Sequence, residues 1–314
     1  MKITVLVPTF RRPDDLTRCL AALERQHRAP DEVVVVVRPD DHATHACLDA
    51  HVAKNVAQHV ANKRLPLVVA PVELPGQVAA LNRGLDAAMG DVIAITDDDA
   101  APHADWLARI EAHFAADPKL GALGGRDWVH EKGGVLNGSR EQVGKLTRSG
   151  KLIGNHHLGV GGAREVDMLK GANMSYRRAA IRTLRFDTRL RGAGAQVHND
   201  MAFSMSVKRA GWKLVYDPHV AVDHFPAERH DDDGRDAQTM TALGNAAYNL
   251  HLILRAHLTP LHRETAWWWY ALVGTRAYPG FAHALLAMAS RKRVQLSRWK
   301  AVRSGAREAR RALP

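Results

Sequence analysis

The chain has 314 residues, 46% of them apolar, and a formal net charge of +11. That is enough for one large or two small domains with a proper core, and it excludes a disordered or fibrous chain. Two cysteines, Cys19 and Cys47, exclude a disulfide framework and give no metal-site spacing.

Residues 2–7 read as a first strand. Pro8-Thr9-Phe10-Arg11-Arg12 is a loop, and Pro13 with Asp14 and Asp15 starts a helix whose buried face carries Leu16, Leu20 and Leu23. Cys19 lies on that face and reads as core. The opening Met-Lys-Ile-Thr-Val-Leu-Val-Pro is too short for a signal peptide, so a cytosolic protein is expected. Five successive valines at 33–37 predict a strand buried on both faces, ending in Arg38-Pro39-Asp40-Asp41. A helix over about 43–60, a strand at 67–70, a Pro75-Gly76 turn and a helix carrying Val78, Leu81, Leu85 and Ala88 follow. Strands alternating with helices predict a doubly wound parallel sheet.

The strand at 92–95 runs into Asp97-Asp98-Asp99. Continued alternation would send Asp97 and Asp99 to one side and Asp98 to the other. Paired carboxylates at a strand's carboxyl end suit a hard divalent cation and a phosphate ligand; the plainer alternative is a polar loop capping the next helix. No strand–GxGxxG–helix unit and no Walker loop is present.

A helix at 103–116 and a small-residue strand or turn at 121–125 come next. Residues 130–164 are glycine-rich and aperiodic, and read as a long loop over the site. Strand-like structure resumes at 167–176, followed by a helix at 177–184, a flexible turn at Gly192-Ala193-Gly194, a helix from Asn199 or Asp200 to Lys208, and short strands at 213–216 and 219–224. Val220, Val222 and His224 share one face of the last. From Asp236 the pattern is helical only. Residues 266–289 hold Trp267, Trp268 and Trp269, but Arg276, Pro279-Gly280 and His283 interrupt them, so no spanning helix is expected. Residues 291–314 carry nine Lys/Arg against one Glu, which favours an anionic surface partner.

Six stretches in order resemble the family 2 glycosyltransferases of the GT-A fold. Val5-Leu6-Val7-Pro8-Thr9-Phe10-Arg11-Arg12 is similar to their first strand and loop. Gly76 with Ala80-Leu81-Asn82-Arg83-Gly84 resembles a glycine–asparagine–glycine segment. Asp97-Asp98-Asp99 is similar to the DxD motif, and Leu169-Lys170-Gly171-Ala172-Asn173-Met174-Ser175-Tyr176 to an acceptor-side strand. Asn199-Asp200 stands where the family usually has Glu-Asp, and Val222-Asp223-His224 resembles a late metal-side histidine. The match spans about residues 1–225.

The resemblance implies a mixed, Rossmann-like sheet flanked by helices. A catalytic domain would occupy 1–235, with a donor half to 100 and an acceptor half from 101, followed by a helical extension over 236–314. It implies inverting transfer from a nucleotide-diphosphate sugar, a UDP-sugar first, to a saccharide or lipid-linked saccharide in cell-surface or exopolysaccharide synthesis. Mn²⁺ or Mg²⁺ would sit on Asp99, Asp97 and His224, and Asp200 would be the general base. Asp98 would orient the donor ribose or metal waters, or be solvated. Pro8, Thr9, Arg11, Asp40, Gly76, Asn82 and Arg83 would meet the donor, and Gly171, Ala172, Asn173 and Asn199 the acceptor. Helix N-capping by Asn199 or Asp200, and a surface salt bridge for Arg83, stay open as alternatives. Asp231-Asp232-Asp233 reads as a solvated cap.

Two other classes remain. A nucleotidyltransferase of similar fold lacks support, because its glycine-rich first loop is replaced by Pro8-Thr9-Phe10. A non-enzymatic module using the basic tail would not need the ordered acidic motifs. The expected partners are the donor, the acceptor, an anionic membrane surface at the inner face of the cell membrane and a second copy of the chain; no nucleic acid is expected.

Overall fold

The computed structural model describes residues 1–57, 65–227 and 239–312. Along the first part run β1 (Ile3–Pro8), α1 (Pro13–Glu24), β2 (Glu32–Val37), α2 (His42–Ala57), β3 (Leu67–Pro71), α3 (Gln77–Ala87) and β4 (Val92–Ile95). β1 pairs in parallel with β2 and β4, and β2 with β3. Val33, Val35 and Val37 pack with Leu16 and Leu20 of α1 and Leu48 of α2. Val34 and Val36 pack with Val78, Leu81 and Leu85 of α3. The valine run is therefore sandwiched between helices, and each fully buried valine stabilises by roughly 1.5 kcal/mol or more.

The second part adds β5 (Ala100–Pro102), α4 (Trp106–Ala116), β6 (Leu120–Glu131), β7 (Gly134–Val135), β8 (Lys145–Leu146), β9 (Leu152–Ile153), β10 (Arg164–Glu165), β11 (Met174–Arg177), α5 (Arg178–Ile181), α6 (Asn199–Arg209) and β12 (Lys213–His224). The described residues form one ten-stranded mixed sheet with the path β10-β12-β6-β11-β4-β1-β2-β3; β5 pairs with β12 and β7 with β6. β11 lies antiparallel between β4 and β6.

Three features differ from the sequence expectation. The glycine-rich stretch at 121–125 is part of a twelve-residue strand. Its glycines leave room for close neighbours on and beside the parallel β12: a Cβ on Gly125 would stand 1.6 Å from the Val220 carbonyl oxygen, and one on Gly121 2.4 Å from Trp212, just ahead of that strand. The two expected strands at 213–224 are one strand with a register shift between Asp217 and Val222; Pro218, which has no N–H to donate, falls within it. Residues 130–164 hold short strands and a one-turn 3-10 helix. They dock on the far part of the sheet and the C-terminal helices, where Tyr216 Oη donates to the His156 carbonyl (2.8 Å) and Tyr270 Oη to that of Gly150 (3.3 Å).

The extension comprises α7 (Met240–His257), α8 (Pro260–Leu272), α9 (Phe281–Ala289) and α10 (Arg293–Ala312). Leu250, Leu252, Ile253, Leu254, Ala266 and Tyr270 share one continuous core with the sheet residues Leu6, Ile93 and Tyr176. Helices α7 and α10 cross closely at Gly244 and Gly305, where a Cβ on Gly305 would come within 2.1 Å of the Gly244 oxygen. Among the described residues no helix is long and apolar enough to cross a membrane. The boundary expected at 235 and the triplet Asp231-Asp232-Asp233 lie outside the described residues.

Candidate active site

β3, β2, β1 and β4 are mutually parallel, so their carboxyl ends lie along one edge of the sheet. This edge is the ligand side of an open α/β sheet. Pro8, Thr9, Phe10, Arg11 and Arg12 follow β1; Arg38 and Asp40 follow β2; Leu74, Pro75 and Gly76 follow β3; Asp97, Asp98 and Asp99 follow β4. With Gln77 and residues 193–195 they enclose a cleft of about 530 Å³, within the usual range for small-molecule sites.

The strand alternation expected through the aspartates is broken. β4 ends at Ile95, and the Ala100 N–H donates to the Asp97 carbonyl at 3.2 Å in a turn. The three carboxylates therefore go separate ways. Asp97 is half-buried and accepts from Gln77 Nε2 at 3.5 Å. Asp98 is buried against Arg12, whose Nη1 donates at 3.0 Å. Asp99 is buried, accepts from the Ala227 N–H at 2.9 Å and lies 3.3 Å from His224 Nε2. His224 is brought there by the pairing of its strand with β5, opposite Ala100. Asp223 instead meets His103 and His130, at 3.3 and 2.8 Å.

Burial, opposed by Arg12 and reinforced by Asp99, pushes the Asp98 carboxyl up to about 7. Burial opposes ionisation of Asp99 too, but its hydrogen bond with His224 and that from Ala227 hold it down at about 2. Behind His224, whose Nδ1 is 3.6 Å away, stands the buried Asp127, which also pairs with Lys170. Against the cost of burial, Asp127 and Asp99 raise the His224 imidazole to about 9. When protonated, His224 is placed to pair with Asp99; only its neutral form could ligate a metal.

The carboxylate oxygens of Asp97 and Asp99 suit a hard divalent cation. An ion beside Asp98 would also offset the Asp99 charge that adds to burial in raising its pKa. Among the described residues no group of three or more His, Cys, Asp or Glu could hold a metal by itself. An ion here would take its remaining ligands from substrate oxygens and water, as Mg²⁺ commonly does.

Asp200 is not among the residues lining the cleft; it is in the first turn of α6, shortly after the lining residues 193–195, and accepts the Gly171 N–H at 2.8 Å. Asn199 is buried; its Nδ2 donates to Gln77 Oε1 at 3.1 Å and to the Ala195 carbonyl at 2.8 Å. Ala172 has φ +74°, and its carbonyl accepts from Thr96 Oγ1 at 3.0 Å.

Several expected contact residues serve the backbone instead. Asn173 is buried: it accepts from Trp106 Nε1 at 2.9 Å and donates to the Val220 carbonyl at 2.7 Å. Asn82 exchanges two hydrogen bonds with the Phe186 backbone, at 3.0 and 2.8 Å. Arg83 Nε donates to the Pro71 carbonyl at 3.0 Å rather than to a salt-bridge carboxylate. Neither Asn82 nor Arg83 is among the residues lining the cleft. Gly76, with φ +103°, does line it, and a Cβ there would meet Gln196 Oε1 at 2.7 Å.

Phe10, Arg12 and Gln77 escape the sequence reading but line the cleft. Arg12 was legible only as one of two arginines in the loop ahead of Pro13, and not as the partner of Asp98. The others carry no local signal. Asp41, next to the cleft residue Asp40, caps α2 by accepting from Thr44 Oγ1 at 2.7 Å and from its N–H at 3.2 Å.

Residues 1–238 match the family model described as Glycosyltransferase like family 2. This chain belongs to that family. The glycosyltransferase AglE of Haloferax volcanii is 27% identical over 111 residues, 34% of this chain and 33% of that protein. The chain thus matches about a third of that relative's length. Solved structures share the fold along the length of this chain. The mannosyltransferase PcManGT from Pyrobaculum calidifontis, in complex with GDP-Man and Mn²⁺, aligns with TM-score 0.56 at 20% identity, covering 98% of this chain and 86% of that one. S. aureus TarS 1-349 in complex with UDP-GlcNAc aligns with TM-score 0.58 at 16% identity, covering 100% and 93%. The architecture is therefore GT-A, and the family match favours a glycosyltransferase over a nucleotidyltransferase of similar fold.

Proposed function

We propose that this glycosyltransferase moves a sugar, with inversion, from a nucleotide-diphosphate donor to a hydroxyl of a saccharide or lipid-linked saccharide in cell-surface or exopolysaccharide synthesis. A UDP-sugar is the first choice of donor; the GDP-Man bound by PcManGT makes GDP-sugars the second. The observation that carries the reading is the aspartate triplet opening into a 530 Å³ cleft at the carboxyl ends of four parallel strands.

In this reading Asp99 and Asp97 hold Mn²⁺ or Mg²⁺, and His224 supports Asp99 from behind. When bound, the cation neutralises charge on the departing diphosphate. Arg12 keeps Asp98 in place and offsets the charge of the triplet before ligand arrives. Phe10, with the Arg11 and Arg38 guanidiniums 4.9 and 5.2 Å from its ring centroid, offers a flat face for the base, with Asp40 beside it and Pro8 and Thr9 toward the ribose. Asp200 takes the acceptor proton, held in place by the hydrogen bond that its Oδ2 accepts from the Gly171 N–H.

The same reading sets the enzyme on the cytoplasmic face of a membrane through its extension. Tyr270 is buried and Tyr278 half-buried, so neither is a headgroup anchor. Leu261 (74% exposed), Trp268 (57%), Leu286 (70%) and Val294 (68%) are among the extension's exposed apolar residues, and the exposed Arg291, Lys292 and Arg293 directly precede Val294. Each basic residue at an anionic leaflet adds about 1 kcal/mol. Flotation with anionic liposomes at low salt tests this; a protein that stays at the bottom refutes it, and a concentration-dependent dimer would assign the face to a second copy.

The functional test is incubation with UDP- and GDP-sugars, with Mn²⁺ or Mg²⁺ and then with chelator. Metal-dependent release of free nucleoside diphosphate is expected. Release of pyrophosphate, or no turnover with any donor, would refute the reading.

A further inference from the structure

Residues 191–198 connect three parts of the molecule. Ala193, Gly194 and Ala195 line the cleft, and the Asn199–Asp200 corner follows directly. On one side the loop caps α3: the Gln77 N–H donates to the Gly194 carbonyl at 2.8 Å and the Val78 N–H to Gln196 Oε1 at 2.9 Å. On the other side the C-terminal helices hold it. Asn249 of α7, 0% exposed, accepts the Arg191 N–H at 2.7 Å and donates to the carbonyls of Arg191 at 2.8 Å and Val197 at 3.0 Å. One amide thereby ties both ends of the loop. Tyr278, in the turn between α8 and α9, brings its hydroxyl 2.6 Å from His198 Nε2. Arg191 adds a stack on Tyr248 at 3.8 Å.

The loop needs such support. Gln196 and His198 have φ of +44° and +75°, and non-glycine residues keep this conformation only where their surroundings over-determine it. His198 is also the residue immediately before α6, so its position sets where Asn199 and Asp200 begin.

We propose that the C-terminal helices complete the active site by clamping this loop, with Asn249 and Tyr278 as positioning residues for the donor-facing backbone and for Asp200. The proposal rests on the cleft being the nucleotide-sugar site, but the clamp itself can be measured without turnover.

The test uses the full chain and the variants Tyr278→Phe and Asn249→Ala, comparing amide hydrogen exchange with steady-state kinetics on a nucleotide sugar. Tyr278→Phe removes one oxygen and keeps the ring against Tyr270. We expect exchange in 191–198 to rise about tenfold while β1 and β2 stay protected. We expect kcat to fall on the order of 10–100-fold, with donor KM nearly constant. Asn249→Ala should raise exchange further and raise donor KM as well. If it does not fold, Tyr278→Phe alone decides. Unchanged exchange in Tyr278→Phe would mean that the α3 caps suffice, and would overturn the clamp. Raised exchange with unaltered kcat and KM would overturn the positioning role. A wild type that turns over no nucleotide sugar would refute the functional reading, while the exchange data would still decide the clamp.

Discussion

Asn199 donates to Gln77 Oε1 at 3.1 Å, and Gln77 Nε2 reaches on to Asp97 at 3.5 Å. One glutamine thus spans the cleft between the aspartate triplet and the start of α6. Gln77→Leu keeps the volume and removes both polar ends. We expect kcat/KM to fall about three- to tenfold, the worth of one or two net hydrogen bonds, with little loss of thermal stability. Unchanged kcat/KM would mean that the two sides of the site act independently of this link.

Asp200→Asn keeps size and removes the basic oxygen. We expect nucleoside diphosphate affinity to hold in calorimetry while kcat falls by about 10²–10⁴, the usual contribution of a positioned base. Lost donor affinity with kcat intact would make Asp200 a binding residue.

Asn173 belongs to a motif, yet its side chain closes the gap between Trp106 Nε1 and the Val220 carbonyl. Asn173→Ala leaves both buried groups unpaired, which should cost about 2–3 kcal/mol of unfolding free energy in denaturant titration. Acceptor KM should not change in the folded fraction. A stable variant with a raised acceptor KM would return Asn173 to the acceptor role.

His251 sits between Trp267 and Tyr270, and burial lowers its pKa to about 4. The unfolded chain takes up this proton near pH 6.5 and the folded protein only near 4. The unfolded state therefore gains protons first, and stability is lost as pH falls through that window. Between pH 7.5 and 5 this one group should cost about 2 kcal/mol. His251→Phe should flatten that part of the stability curve; an unaltered slope would show that His251 titrates alike in the folded and unfolded chain.

The parallel half of the sheet was legible because its signal is local. Val33 to Val37 and Val92 to Ile95 are apolar throughout, and helices cover both faces. β6 was hidden by its glycines, which leave room for Val220 of the adjacent β12 and for Trp212 just ahead of it. The motif residues were legible as positions and not as contacts. Asp97, Asp98 and Asp99 reach the cleft, but the turn after Ile95 redirects each of them, and Asn82 turns to Phe186. Gly192-Ala193-Gly194 reads as a flexible turn because its support, Asn249, is more than fifty residues downstream.

The central claim is that Asp99 anchors the cation that makes nucleotide-sugar turnover possible. Its buried carboxylate lies beside His224 at the mouth of the cleft. The direct measurement is Mn²⁺-dependent release of nucleoside diphosphate by the wild type and by Asp99→Ala, with thermal unfolding run on both. We expect a folded Asp99→Ala variant that has lost turnover and no longer binds the nucleotide more tightly when Mn²⁺ is added. A folded variant with near wild-type, metal-dependent release would contradict the account.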